Sequence, residues 1–189
     1  MKKVLDVLLG RVKPAPTKVD ALFSISTAYV TLETKLDLHH ARVAGICFKI
    51  IPSTAFERMS ADLEELLELA RRETAIAYEL VKDELGFLWI VLRATDFEDL
   101  VTTLHLVSET VIERGFDDQL LSSVFKFRKE SKAIYLIYTY KRGSFYPFVP
   151  LNGRERDMQY ELKLGAQLEA ELPWEKNRET WYPLWDLPL

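Results

Sequence analysis

Two periods of apolar spacing alternate along the chain. Between Asp20 and Leu38, the residues Leu22, Ile25, Tyr29, Leu32 and Leu36 recur at three- and four-residue intervals. That spacing predicts a helix, although Tyr29, Val30 and Thr31 favour strand locally. Arg42 to Ile51 is a compact apolar run that reads as a strand and stops at Pro52. In the following Ser53-Thr54-Ala55-Phe56-Glu57, the Thr54 hydroxyl and the Glu57 carboxylate can satisfy the orphan amides of a helix start. The stripe Phe56, Met59, Leu63, Leu66, Leu67 and Ala70 then predicts the helix itself.

Ala75 to Lys82 and Gly86 to Arg93 read as two strands joined by Asp83-Glu84-Leu85, a hairpin. The pattern then repeats. Thr95-Asp96-Phe97-Glu98 echoes Thr54-Ala55-Phe56-Glu57 and opens a helix with Leu100, Val101, Leu104, Val107, Val111 and Ile112 inward, closed by Gly115. Leu120 to Arg128 and Lys132 to Tyr140 supply two more strands around the turn Lys129-Glu130-Ser131. Asn152 to Leu172 mixes both periods and is assigned to helix on its Glu, Leu, Gln, Lys and Ala content. Pro173 ends it.

From Arg42 the order is β-α-β-β-α-β plus one strand, with flanking N- and C-terminal helices. This predicts an α+β fold with a ferredoxin-like core, both core helices covering one face of the sheet. The same string also fits a secretion-chaperone-like α+β fold with an inserted helix. Residues 1–18 form an amphipathic arm, with Val4, Leu5, Leu8 and Leu9 on one face ahead of a Lys13-Pro-Ala-Pro linker. Residues 19–172 form a single domain and residues 173–189 a tail rich in Trp and Pro. Three tryptophans in that tail call for packing on the domain or on a partner.

Composition narrows the chemistry. Of 189 residues, 48% are hydrophobic and 29% charged, with a net charge of -4, the profile of a folded chain without the broad positive field that nucleic-acid binding uses. Cys47 is the only cysteine, which excludes an internal disulfide and suits a reducing, cytoplasmic setting. The N-terminal apolar run is short, broken by Asp6 and without a cleavage site, so it does not read as a secretory signal. No stretch reaches the roughly 20 apolar residues of a spanning helix, and any membrane contact is expected to be peripheral, through the arm.

Catalytic chemistry finds little support. His39 and His40 beside Asp37 do not have the spacing of a helical metal box, and His105 sits at the margin of an inward stripe. Cys47 lies in a strand with no partner histidine legible in the sequence, and the glycines are too scattered to cradle a phosphate. The expectation is a chain that is not an enzyme, with no cofactor and no metal.

Two aromatic segments carry the recognition chemistry. In YKRGSFYPFVP, the residues Lys141, Arg142, Phe145, Tyr146 and Phe148 put cations and rings together; in WYPLWDLP, Trp181, Tyr182 and Trp185 do so again. Aromatic and Arg anchors dominate binding energy once desolvated, so these eight are the candidate partner-binding surface, exposed or semi-exposed. The first segment also resembles the aromatic signature of RNA-recognition sheets, but it follows the last predicted strand, contains Pro147, and belongs to an acidic chain.

LLGR before a Lys/Pro linker, ALFSISTAYVTLE, GICFK, GFLWIVLR, QLLSSVFKF, YKRGSFYPFVP and WYPLWDLP together resemble the PspA-associated protein family PspAB. The resemblance implies a cytoplasmic accessory of the phage-shock envelope-stress response that binds PspA, a coiled-coil protein. A link to an HtpX-type membrane protease is a further implication. It carries over no catalytic residue.

Overall fold

A computed structural model describes residues 19–189. The arm expected over residues 1–18 lies outside the described residues. The chain enters through a 3-10 turn, Asp20–Phe23, and helix α1, Ser24–Thr34, where the spacing predicts one longer helix. The buried stripe is the expected one, with Leu22, Ile25 and Leu32 fully inside. Strand β1, His39–Lys49, begins three residues earlier than the apolar run suggests. A β-bulge absorbs the difference: pairing slips between His40 and Ala44, and Arg42 takes a φ of 60°.

Helix α2, Thr54–Thr74, is capped by Ser53 and not by Thr54. Ser53 has the extended backbone of a cap, and its Oγ accepts from the Phe56 amide at 3.2 Å. Strands β2, Ala77–Lys82, and β3, Phe87–Arg93, form the expected hairpin. Asp96 caps helix α3, Phe97–Glu113, accepting from the Glu98 amide at 2.9 Å. Gly115, at φ 79°, closes α3 by donating to the Ile112 carbonyl, a left-handed position that suits glycine. Strands β4, Leu120–Lys129, and β5, Lys132–Thr139, follow.

The sheet does not stop there. Ser144–Phe148 is a sixth strand, β6, where sequence spacing ends the sheet at Tyr140 and treats Pro147 as a disruption. The Phe145 amide and carbonyl bond outward, to Pro173 and Glu175, so by alternation Pro147 also presents its backbone outward. Its missing N–H therefore takes nothing from the β5 ladder, which is why proline is tolerated on an edge. Helix α4, Met158–Leu168, closes the set and is shorter than the predicted Asn152 to Leu172.

The strand order is β2-β3-β1-β4-β5-β6, antiparallel at every pair. Its first four members stand in the split βαβ order expected of a ferredoxin-like core. On one face, side chains from all four helices meet Ile46, Phe48, Ile90, Leu92, Phe125 and Leu136. The opposite face carries its own apolar layer: Val43, Cys47, Trp89, Val91, Val124, Ile137, Tyr146 and Phe148. Among the described residues no helix covers this second layer. The tail does, through Trp181, Leu184, Trp185, Leu187 and Leu189.

Candidate partner-binding face

The tail is held on the back of the sheet by a buried ion pair. Glu161 of α4 has no exposed surface, and it takes the Arg156 guanidinium through bonds of 2.7–3.0 Å. The same carboxylate accepts the Val149 amide at 2.8 Å, while Arg156 donates to the Trp181 carbonyl at 2.6 Å and the Pro147 carbonyl at 3.3 Å. Arg156 also sits over the Phe148 ring at 5.4 Å. Burial pushes the Glu161 carboxyl upward, against the opposing pull of Arg156 and the Val149 amide. One guanidinium thus ties α4, β6 and the tail together.

Beyond this knot the tail is positioned by its backbone. Tyr146 Oη donates to the Tyr182 carbonyl at 3.0 Å, and Trp181 Nε1 donates to the Glu175 carbonyl at 3.0 Å. Lys126 Nζ donates to the Leu189 oxygen at 2.7 Å. Gly45 makes room for the end of the tail: a Cβ there would lie 2.9 Å from Leu189 Cδ2.

The structure divides the eight sequence-derived residues and corrects the expectation of one exposed surface. Phe145 is fully buried on the helix face, 4.7 Å ring to ring from Tyr138. Tyr146, Phe148 and Trp181 are buried beneath or within the tail. A strand alternates its faces, so Phe145 and Tyr146 cannot share a surface once Ser144–Phe148 is β6. Arg142, in the turn before β6, holds Glu175 at 3.1 Å. Lys141 stays at the surface beside it. Tyr182 is 60% exposed, and Trp185 is half-buried, edge-on to Phe148 at 4.9 Å.

Trp185 forms one wall of a cleft of about 680 Å³ between the tail and the β2–β3 hairpin. Its apolar lining includes Val81, Leu85, Phe87, Trp89, Leu184 and Leu187. Lys82, Asp83, Glu84, Arg154 and Asp186 give it a rim of both signs. Asp83 organises the far wall. Its carboxylate accepts the Leu85 and Phe87 amides at 2.9 Å each and the Trp89 indole N–H at 3.0 Å, fixing the hairpin tip and the ring at once. Leu85 at that tip is 81% exposed, the barest of the large apolar side chains among the described residues. Sequence reasoning predicts this hairpin but gives it no part in recognition, although the unbroken apolar run FLWIVLR signals a strand covered on both faces.

The remaining sequence candidates lie elsewhere. His39 is exposed, with Nε2 3.0 Å from Asp37. His40 packs its ring against Tyr29 and Phe97 at a separate hollow of about 440 Å³, its imidazole pKa lowered by burial. His105 is buried beside Phe23. Among the described residues, no three His, Cys, Asp or Glu side chains converge as metal ligands. Cys47 lines the floor of the cleft, but burial pushes its thiol up to about 12. A thiol so protonated is a poor nucleophile at neutral pH. At pH 8, Cys47 should react with a disulfide reagent only as fast as the tail lifts, more than tenfold slower than in urea-unfolded chain; equal rates would show that the tail does not cover it.

No helix among the described residues is long and apolar enough to cross a membrane. No curated protein and no solved structure is significantly similar to this chain. A family model described as PspAB, PspA associated protein B, matches residues 2–189, and the chain belongs to that family.

Proposed function

We propose that the chain is a non-enzymatic adaptor of the phage-shock envelope-stress response, which grips a PspA-type coiled coil in the cleft between its tail and its β2–β3 hairpin. The family's name implies association with PspA. The observation that carries the placement is the pairing of an aromatic-walled cleft with Leu85, a large apolar side chain held in solvent on a hairpin braced by Asp83. A helix of a coiled coil offers an apolar stripe flanked by charges of both signs, and the cleft offers an apolar floor with a mixed rim. Trp185 remains the tail's aromatic contribution to this surface, joined by Leu85, Phe87 and Trp89, with the exposed Tyr182 just outside the cleft lining.

Leu85→Lys and Trp185→Ala should each weaken binding of a purified PspA-type coiled-coil protein by about tenfold or more, since anchors of this kind carry most of an interface's energy. Val30→Ala, at a 65% exposed position on α1, should leave affinity unchanged. Titration calorimetry reads all three. Unaltered affinity in a folded double variant, Leu85→Lys with Trp185→Ala, would place the partner elsewhere.

A further inference from the structure

The two edges of the sheet are finished differently. At β6 the outward groups are occupied: Phe145 bonds to Pro173 and Glu175, Pro147 accepts from Arg156, and Val149 donates to Glu161. At β2 the edge is bare. The Asp83 amide donates to the Phe87 carbonyl at 3.0 Å, and the register pairs Val81 with Trp89 and Glu79 with Val91. The odd-numbered residues therefore bond to β3, and the amides and carbonyls of Tyr78, Leu80 and Lys82 point away from the sheet. Among the described residues none of these outward groups has a hydrogen-bond partner. The strand is short and carries the charges of Glu79 and Lys82, but it lacks the stronger guards of an edge: it has no proline, its pairing shows no bulge, and Leu80 at its centre is 40% exposed.

We propose that this edge pairs with the β2 edge of a second copy of the chain, antiparallel, about a two-fold axis perpendicular to the sheet, so that one sheet runs through both copies. The edge adjoins the cleft, with Val81 and Lys82 common to both, but its outward backbone groups lie on the rim of the sheet and the proposal does not depend on what the cleft binds. The axis returns each face to the same face, and the outward groups are all on even-numbered residues. Registers centred on Glu79, Leu80 or Val81 then bring two or three outward residues together within the strand, against one for a register centred on Tyr78 or Lys82. Centring on Glu79 sets that carboxylate against its own copy at a Cα spacing of about 4.5 Å. Centring on Val81 sets Glu79 against Asp83 of the second copy. Like charges directly opposite are unfavourable, and both registers leave an outward residue without a partner.

Centring on Leu80 has neither fault. Leu80 meets Leu80 across the axis, Tyr78 meets Lys82 of the second copy in reach of a cation–π contact, and Glu79 meets Val81. All three outward residues are engaged, giving about six hydrogen bonds from three pairs of two. Self-complementarity of this kind is what an isologous dimer requires. The interface is small, so association in the range of about 10–100 µM is expected.

Sedimentation equilibrium of the full chain over roughly 1 to 300 µM, a range that brackets such a Kd, should show a monomer–dimer equilibrium. Leu80→Lys, at a position exposed enough to keep the fold, should raise the dimer Kd about tenfold or more. Leu80→Cys should form a disulfide-linked dimer under mild oxidation, because opposed hydrogen-bonded residues stand about 5.5 Å apart. Glu79→Cys, facing Val81, should not. A chain that stays monomeric throughout, a dimer indifferent to Leu80→Lys, or cross-linking through Glu79→Cys in place of Leu80→Cys would each overturn the proposal. So would protection of the Tyr78 and Leu80 amides, which lie outside the cleft walls, from hydrogen exchange only when a coiled-coil PspA protein is added, since the edge would then belong to that partner.

Discussion

Replacing Glu161 by Ala lowers the unfolding free energy by about 3–5 kcal/mol, the expected result of stranding one member of a buried pair. Glu161 is fully buried, so its loss leaves the Arg156 guanidinium without its carboxylate and the Val149 amide without its acceptor. At roughly 2–4 °C per kcal/mol for a domain of this size, the melting temperature falls by roughly 6–20 °C. Changing Arg156 to Met together with Glu161 to Leu should recover much of the loss, because no unpaired charge then remains inside. A double-mutant cycle from urea denaturation measures this; equal losses in the single and double variants would contradict the pairing as the cause.

The sign of the pH dependence follows from the direction of the shift. Burial raises the Glu161 carboxyl in the fold, so its contribution is full below the unfolded carboxylate value and is lost as pH rises through the folded value. Acid therefore does not release the tail through Glu161. The opposite sign belongs to Asp157, the cap of α4, lowered first by its hydrogen bond from Lys132 and next by the Tyr160 amide. Its contribution is present above the unfolded value and is lost as pH falls through the folded one.

Trp181→Ala is the second large effect, at about 3–5 kcal/mol for truncating a buried Trp. The indole is 5% exposed, meets Trp174 edge-on at 6.1 Å and lies against α4 where Gly165 admits it; a Cβ at Gly165 would be 3.5 Å from the Trp181 ring and 3.0 Å from that of Trp174. What distinguishes this loss from a generic core defect is where it acts. The tail should detach from the back of the sheet before the helix face unfolds, so Cys47 labelling should accelerate in conditions where the far-ultraviolet dichroism is unchanged. Labelling that rises only with global unfolding would mean that the tail and the core are one cooperative unit.

Much of this architecture was legible in the chain because local and tertiary preferences agree. Phe56 and Phe97 each open a helix just after a strand, and both are buried at the matching place in the repeat. Their caps fell one residue away from the Thr54 and Thr95 positions, since Ser53 and Asp96 serve equally well and backbone dihedrals decide between neighbours. Strand β6 was hidden by Pro147, whose cost depends on which edge its nitrogen faces, and that is set by pairing partners far along the chain.

The candidate site was half legible for a related reason. The aromatic content of Phe145, Tyr146, Phe148 and Trp181 signalled burial as strongly as binding, and composition alone cannot separate a ring that grips a partner from one that grips its own tail. A discriminating signal was present in the strands. FLWIVLR and AIYLIYT are apolar on both faces, which requires a cover on each, while the helices among the described residues supply only one. The segment left to supply the other was WYPLWDLP. Leu85 carried no such signal, because an isolated apolar residue in a turn acquires meaning only from the cleft beside it.

The most direct test of the adaptor reading is a hydrogen-exchange difference map of the full chain, with and without a purified coiled-coil PspA protein. The account predicts added protection in residues 81–89 and 183–188, the two walls of the cleft, with α1 and α3 unchanged. Protection confined to the helix face, or none at all at saturating partner, would contradict it.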